Sequence, residues 1–260
     1  MLTNKTVLVT GSTSGIGLGI AEVFASKGAN IVLNGFGDAQ EIKTLVQRFC
    51  EQFKVQAYHS PADMSKAADI KAMVADAEAK FGSVDVLVNN AGIQFTALIE
   101  DFPEEKWDAI LAINLSAAFH AIKAAMPGMK KRDFGRIINI ASVHGMVASA
   151  TKSAYVASKH GLIGLTKTVA LETAEHNITC NAICPGWVLT PLVQKQIDDK
   201  AKAQGISIVE AQRQLLGEKE PSKRFTEPKH LGELAVFLCS EAGGNITGDA
   251  IQADGGWTAQ

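Results

Sequence analysis

The sequence predicts an α/β fold, a doubly wound parallel sheet with helices on both faces. Two observations carry this. Short β-branched runs alternate with longer segments of helical periodicity from one end of the chain to the other. Several strand candidates are almost wholly apolar, as Val86-Leu87-Val88 and Ile137-Ile138 show, which is the composition of strands covered on both sides. The chain has 260 residues, 47% hydrophobic and 20% charged. That is enough for one sizeable core and excludes disorder, so 1–260 reads as a single domain.

The elements follow in order. Thr6–Val9 is a β-branched run that stops at Gly11, and apolar residues then recur at helical spacing over Ile16–Lys27. Asn30–Asn34 reads as the second strand and Asp38–Phe53 as a helix; Val55–Ser60 and Ser65–Phe81 repeat the pair. Val84–Asn89 precedes a helix over Lys106–Met126, Arg136–Ala141 precedes one over Ser153–Glu175, and Ile178–Cys184 is the sixth strand. Glu227–Ser240 is helical and Ala250–Gln252 closes the series. Thr190–Arg224 breaks the rhythm, being polar, helical in pattern and without a strand. A flap of about 190–224 over a site and a surface excursion both fit that position.

Composition narrows the function. Twenty-five basic against 27 acidic side chains give a net charge of −2, so no excess of cations exists for nucleic acid. Lys5 is followed only by Thr6–Thr10 before Gly11, too short for an export signal. No unbroken run of about 18 apolar residues suggests a membrane span. Four cysteines make no disulfide framework and imply a reducing compartment, the cytoplasm. Cys180 and Cys184 are a C-x3-C on one strand with no second pair, so no metal is expected.

Directly after the first strand comes Gly11-Ser12-Thr13-Ser14-Gly15-Ile16-Gly17, and then a helix. Glycines permit a sharp turn and a close approach of backbone N–H groups to a pyrophosphate, and the helix N-terminus adds partial positive charge. This predicts a nicotinamide dinucleotide. Neither Ser12, Thr13 and Ser14 nor Asn34-Gly35-Phe36-Gly37-Asp38 offers a cation for a 2′-phosphate, which favours NAD. The acidic residue often found at this strand end is missing, so Asn34 or backbone near Phe36 takes the ribose, and Phe36 packs on the adenosine.

Tyr155 and Lys159 are four apart in a helical pattern and so share a face. A free phenol titrates near ~10, and a neighbouring ammonium favours the phenolate. Ser142 ends the fifth strand, at the edge where open α/β sheets bind ligands, and its hydroxyl is placed for a substrate oxygen. Asn114 lies mid-helix, an unfavourable place for an asparagine without a task.

The G-x3-G-x-G loop, Asn89-Asn90-Ala91-Gly92 and Tyr155-x3-Lys159, in this order along nearly the whole chain, resemble the short-chain dehydrogenase/reductase family. The resemblance implies a seven-stranded Rossmann-type sheet and a homo-oligomer, commonly a tetramer. It implies Tyr155 as general acid/base, Ser142 holding the reacting oxygen, Lys159 lowering the tyrosine pKa, and Asn114 completing a proton relay through a water. For the cofactor it points to Gly11, Thr13, Ser14, Gly15, Ile16 and Gly17, to Phe36 and Asp63 (adenine), and to Asn90, Ala91 and Gly92. Pro185, Gly186, Val188 and Thr190 then meet the nicotinamide end. A small hydroxy or keto acid is the implied substrate. Gln94, His144, Lys152 and Gln196 grip its carboxylate, and Trp187 and Trp257 line the pocket around its alkyl end. An NADPH-dependent thioester reductase and a non-catalytic dinucleotide-binding regulator are the rivals. The first needs a cation for the 2′-phosphate and no carboxylate clamp; the second needs no reacting tyrosine.

Overall fold

Alternating side chains explain why the strands read as continuously apolar. In the computed structural model, which describes residues 2–217 and 219–260, β1 (Thr6–Val9), β2 (Asn30–Asn34), β3 (Ala57–Ser60), β4 (Val86–Asn89), β5 (Gly135–Ile140), β6 (Ile178–Pro185) and β7 (Ala250–Ala253) form one sheet in the order β3-β2-β1-β4-β5-β6-β7. Every pairing is parallel. Val7, Val9, Val86 and Val88 face one core, shared with Ile20 and Phe24 of α1 (Gly15–Ser26) and Leu231 of α9 (Pro228–Leu238). Leu8 and Leu87 face the other, shared with Ile70 and Met73 of α3 (Ala67–Phe81) and Ala121 and Met129 of α5 (Ala117–Arg132). Period-two alternation across a covered sheet requires apolar residues at every position.

All seven expected strands and six expected helices are present; α2 (Ala39–Phe53) and α6 (Ser153–Glu172) complete the helices already introduced. One expectation needs correction here. The helix expected over Lys106–Met126 is three pieces, α4 (Glu104–Leu111), a π-helical turn (Ala112–Ser116) and α5. A single π turn leaves no trace in a 3.6-residue pattern. The stretch Glu104–Arg132 also contains an 18-residue window with a mean hydropathy of 1.5, long and apolar enough to cross a membrane by length and composition. In this fold its apolar face, with Ala117, Ala121, Ile122 and Ala125, packs against α3 and the sheet.

The polar stretch after β6 folds as α7 (Pro191–Gln204) and α8 (Ile208–Gly217). They pack on each other through Ile197, Ala201 and Ala211, with Leu189 and Phe225 closing a small core of their own. The Thr190 side chain caps α7 by accepting from Val193 N at 3.3 Å. A parallel bridge between Val188 and Thr226 ties the two ends of the excursion together.

The chain runs outward through β2 and β3, then returns to place β4 beside β1. The strand order reverses there, and a crevice opens beyond the carboxyl ends of the strands.

Candidate active site

A cavity of about 820 Å³ occupies that crevice, within the range of small-molecule and cofactor sites. One wall is the glycine turn. Gly11 and Gly15 have φ of +62° and +59°, the left-handed region that only glycine enters freely. Gly17 does not line the cavity: a Cβ there would collide with the Asn90 amide and the Gly11 carbonyl. Its role is to let α1 pack against the turn. The α1 N-cap, Ser14, makes no side-chain cap, and the first turn holds no acidic residue. The positive helix end is therefore presented to the cavity, as an anionic pyrophosphate requires.

The Asn34 amide, at the cavity wall, is bonded within the fold. It is fully buried. Its Oδ1 accepts from Gly11 N at 3.1 Å, and its Nδ2 donates to the carbonyls of Ser60 (3.2 Å) and Ala62 (2.9 Å). Both amide hydrogens are used, so Asn34 is a clamp joining the glycine turn to the end of β3. The turn after it, from Gly35 to Phe36, also lines the cavity. That turn is held by Thr13 Oγ1, which donates to Phe36 O at 3.1 Å, and by His59 Nε2, 2.8 Å from Gly35 O. Phe36 is 72% exposed at the rim, a face available for stacking. The Asn90 amide is likewise spent on the turn, donating to Thr10 O and Gly11 O at 2.9 Å each. What Asn90, Ala91 and Gly92 offer the cavity is backbone and shape. Asp63 stands at the wall. Its Oδ1 accepts from Ser65 N and Oγ, and Lys66 lies 3.3 Å from Oδ2. These bonds, the Ser65 hydroxyl first, hold its carboxyl below the usual range.

The opposite end gathers Ser142 from the turn after β5, and Tyr155 and Lys159 from α6, with Gln94, His144, Lys152, Trp187 and Trp257. Burial pushes the Tyr155 phenol above its ordinary value, against the opposing influence of the Ser142 side chain. Lys159 is buried and brought down to about 8 by loss of hydration. Its Nζ sits 5.6 Å from the Tyr155 ring centroid. The ammonium lies beside the phenol, and burial of the phenol works against its ionisation.

Asn114 is in the π turn, buried and outside the cavity lining. Its Oδ1 accepts from Ile93 N (2.8 Å), and its Nδ2 donates to Ile93 O (2.9 Å) and Ser158 Oγ (3.3 Å). It fixes the loop after β4 to α6, and the π turn rotates it to where those partners are. One Oδ1 lone pair remains for a water.

His144 is buried, and loss of hydration, aided by the Lys152 charge, lowers its pKa to about 4. It is therefore a neutral imidazole, not a charged clamp. Lys152 is half-buried, immediately before α6, with its pKa lowered by burial. Gln196 lies on the exposed side of α7 and does not line the cavity. Helical phase decides this: Ile197, the next residue, takes the inward position.

Reading the sequence missed the motif-free apolar wall of Ala62, Met64, Ile93, Ile113, Leu192 and Val193. It also missed Glu220, whose side chain is buried and accepts from Trp187 N. Burial, with Asp254 nearby, lifts Glu220 to about 7. Its only sequence signal is position, at the return of the polar excursion.

The family described as Enoyl-(Acyl carrier protein) reductase matches residues 11–258. The chain is 59% identical over 260 residues to the D-beta-hydroxybutyrate dehydrogenase of Cupriavidus necator, covering 100% of both chains. It is 53% identical to the enzyme of the same name from Rhizobium meliloti, over 98% of this chain and 99% of that one. Among solved structures, L-sorbose reductase from Gluconobacter frateurii, complexed with NADPH and L-sorbose, superposes with a TM-score of 0.94 at 33% identity. That match covers 100% of this chain and 98% of the reductase.

Proposed function

The chain belongs to the short-chain dehydrogenase/reductase family, and from this we propose that it interconverts (R)-3-hydroxybutyrate and acetoacetate with NAD. The observation that carries the substrate is Lys152, a half-buried cation facing the same cavity end as Ser142 and Tyr155. A free carboxylate needs such a partner, and a thioester does not. Gln94 supplies further donors, while Trp187 and Trp257 restrict the alkyl end. The identity to the two hydroxybutyrate dehydrogenases supports the same choice.

A bound nicotinamide dinucleotide supplies the acceptor and donor of hydride. Tyr155 takes the proton from the substrate hydroxyl in oxidation and returns it in reduction. Ser142 donates to the reacting oxygen. Lys159 favours the phenolate against the burial that opposes it. Asn114 holds the substrate loop against α6 and keeps one lone pair for a relay water. NAD is supported by the adenosine end, where Thr13, Ser14, Gly35 and Phe36 bring no charge. Among the described lining residues the cations are Lys152 and Lys159, both at the other end. A cytoplasmic homotetramer is part of this reading. It is supported by free cysteines and by exposed apolar side chains such as Phe119 on α5 and Phe237 on α9.

Steady-state assays of the free acid and of a 3-oxoacyl thioester, each with NAD(H) and NADP(H), test the proposal. The free acid with NAD is expected to give the highest kcat/KM. Preferential turnover of the thioester with NADPH overturns it.

A further inference from the structure

Trp187 sits where two backbone ladders meet without joining. The pairing of β6 with β7 ends as Gly186 N donates to Ala253 O at 3.1 Å. The return of the polar excursion starts its own pairing one residue later. There Thr226 N donates to Trp187 O at 3.0 Å, and Leu189 N donates to Thr226 O at 2.9 Å. Trp187 N falls between the two ladders, and neither gives it a carbonyl. The Glu220 side chain does so instead, accepting through Oε1.

Glu220 is 2% exposed, and its backbone is fixed. Its N–H donates to Leu216 O at 2.8 Å, and its carbonyl accepts from Lys223 N at 3.0 Å. The side chain ends between two glycines. A Cβ on Gly186 would collide with Oε1; one on Gly255 would collide with Ser222 Oγ and lie 3.1 Å from Oε2. The two carboxyl oxygens therefore fill the gap between the end of β6 and the C-terminal turn. Ser222 N, donating to Gly255 O at 3.0 Å, closes the same gap.

Each side of that gap carries a tryptophan. Trp187 follows Gly186 directly, and Trp257 follows Gly256. Asp254 holds the second side, its carboxylate accepting from Gly256 N (3.0 Å), Thr258 N (2.8 Å) and Thr258 Oγ1 (2.6 Å). Both tryptophans line the cavity, and Glu220 stands behind them outside the lining. A pocket discriminates by a methylene only when its walls are held in place from behind.

We propose that Glu220 is a positioning residue whose carboxyl group spaces Trp187 from Trp257 and thereby sets the length of hydroxy acid that the cavity accepts. The ligand in this statement rests on the hydroxy-acid dehydrogenase reading; the spacing does not.

Full-length protein serves both halves of the test. Glu220→Ala should raise the kcat/KM of (R)-3-hydroxypentanoate relative to (R)-3-hydroxybutyrate by about 10-fold, the lower end of what one methylene decides in a tight site. KM for NAD should stay near its wild-type value. Glu220→Gln keeps the length and an acceptor for Trp187 N, and should keep the wild-type ratio. Glu220→Asp, one methylene shorter, should move the ratio in the direction of the alanine variant, and serves where alanine prevents folding. A loss shared equally by the two acids would make Glu220 a residue of the fold alone and overturns the proposal. Without substrate, ¹⁹F spectra of protein labelled with 5-fluorotryptophan, assigned with Trp187→Phe and Trp257→Phe, report the walls directly. Glu220→Ala, or Glu220→Asp in its place, should shift both signals and leave that of Trp107, on α4, where it is. A Trp187 or Trp257 signal that does not move also overturns the proposal. Both signals moving in a protein that turns over neither acid would uphold the spacing and count against the substrate reading alone.

Discussion

The Lys159 ammonium donates to the carbonyl of Ile140 at 2.7 Å, so the last residue of β5 anchors the cation that faces Tyr155. The lysine is held by the same strand that carries Ser142 two residues on. Phenol and ammonium are both buried, and burial drives each toward its neutral form, Tyr155 upward and Lys159 to about 8. With each group pressed toward its neutral form, the two do not sit as a fixed ion pair.

Tyr155→Phe removes the only phenol at the reacting end and should lower kcat by at least ~10³-fold, within the span attributed to a positioned acid/base. NADH binding, read by fluorescence titration, should stay within a few-fold. Turnover near the wild-type rate would refute the acid/base role.

Lys152→Ala should raise KM for 3-hydroxybutyrate by roughly 10-fold or more, the scale of one lost charge-assisted hydrogen bond of about 1.5–3 kcal/mol. KM for NAD should barely move, since the adenosine end lies across the cavity. A parallel rise in both constants would show that Lys152 serves the cofactor or the fold.

Asn34→Ala strips partners from Gly11 N and from two carbonyls at the end of β3. A loss of about 2 kcal/mol or more of stability is expected, since buried polar groups are left unpaired, together with a higher KM for NAD. Thermal unfolding and kinetics measured on one preparation separate the cases. A change in KM with no change in Tm would mean that Asn34 contacts the ribose after all.

Glu220 gives a pH signature. Its folded pKa of about 7 lies above the ordinary 4.5. Between these values the folded state holds the extra proton, so stability falls as pH rises through that window and is level above it. Glu220→Gln keeps an acceptor for Trp187 N and cannot ionise. It should raise Tm at pH 8, with the advantage shrinking as pH falls toward 5. An advantage independent of pH would exclude ionisation of Glu220 as the cause.

Local pattern made the fold legible. Strand positions shifted by only a residue or two, because apolar runs bounded by turn residues mark strands wherever both sheet faces are covered. The glycine turn was readable for the same reason, since its backbone conformation demands glycine. The π turn at Ala112–Ser116 and the exposed side of Gln196 were not readable. The first is a one-residue change in helical phase set by what Asn114 must reach, and the second depends on which face of α7 meets α8.

The sequence by itself determined the parallel sheet, the dinucleotide turn and the Tyr155–Lys159 pair, since each is a contact between near neighbours or a backbone requirement of one residue type. Tertiary structure decided which polar groups are free to act. The side-chain amides of Asn34, Asn90 and Asn114 are bonded to partners distant in the chain, and His144 is neutral between two serines. Hydrogen-bond capacity and hydration are shared across the whole fold, and no local spacing reveals how they are divided.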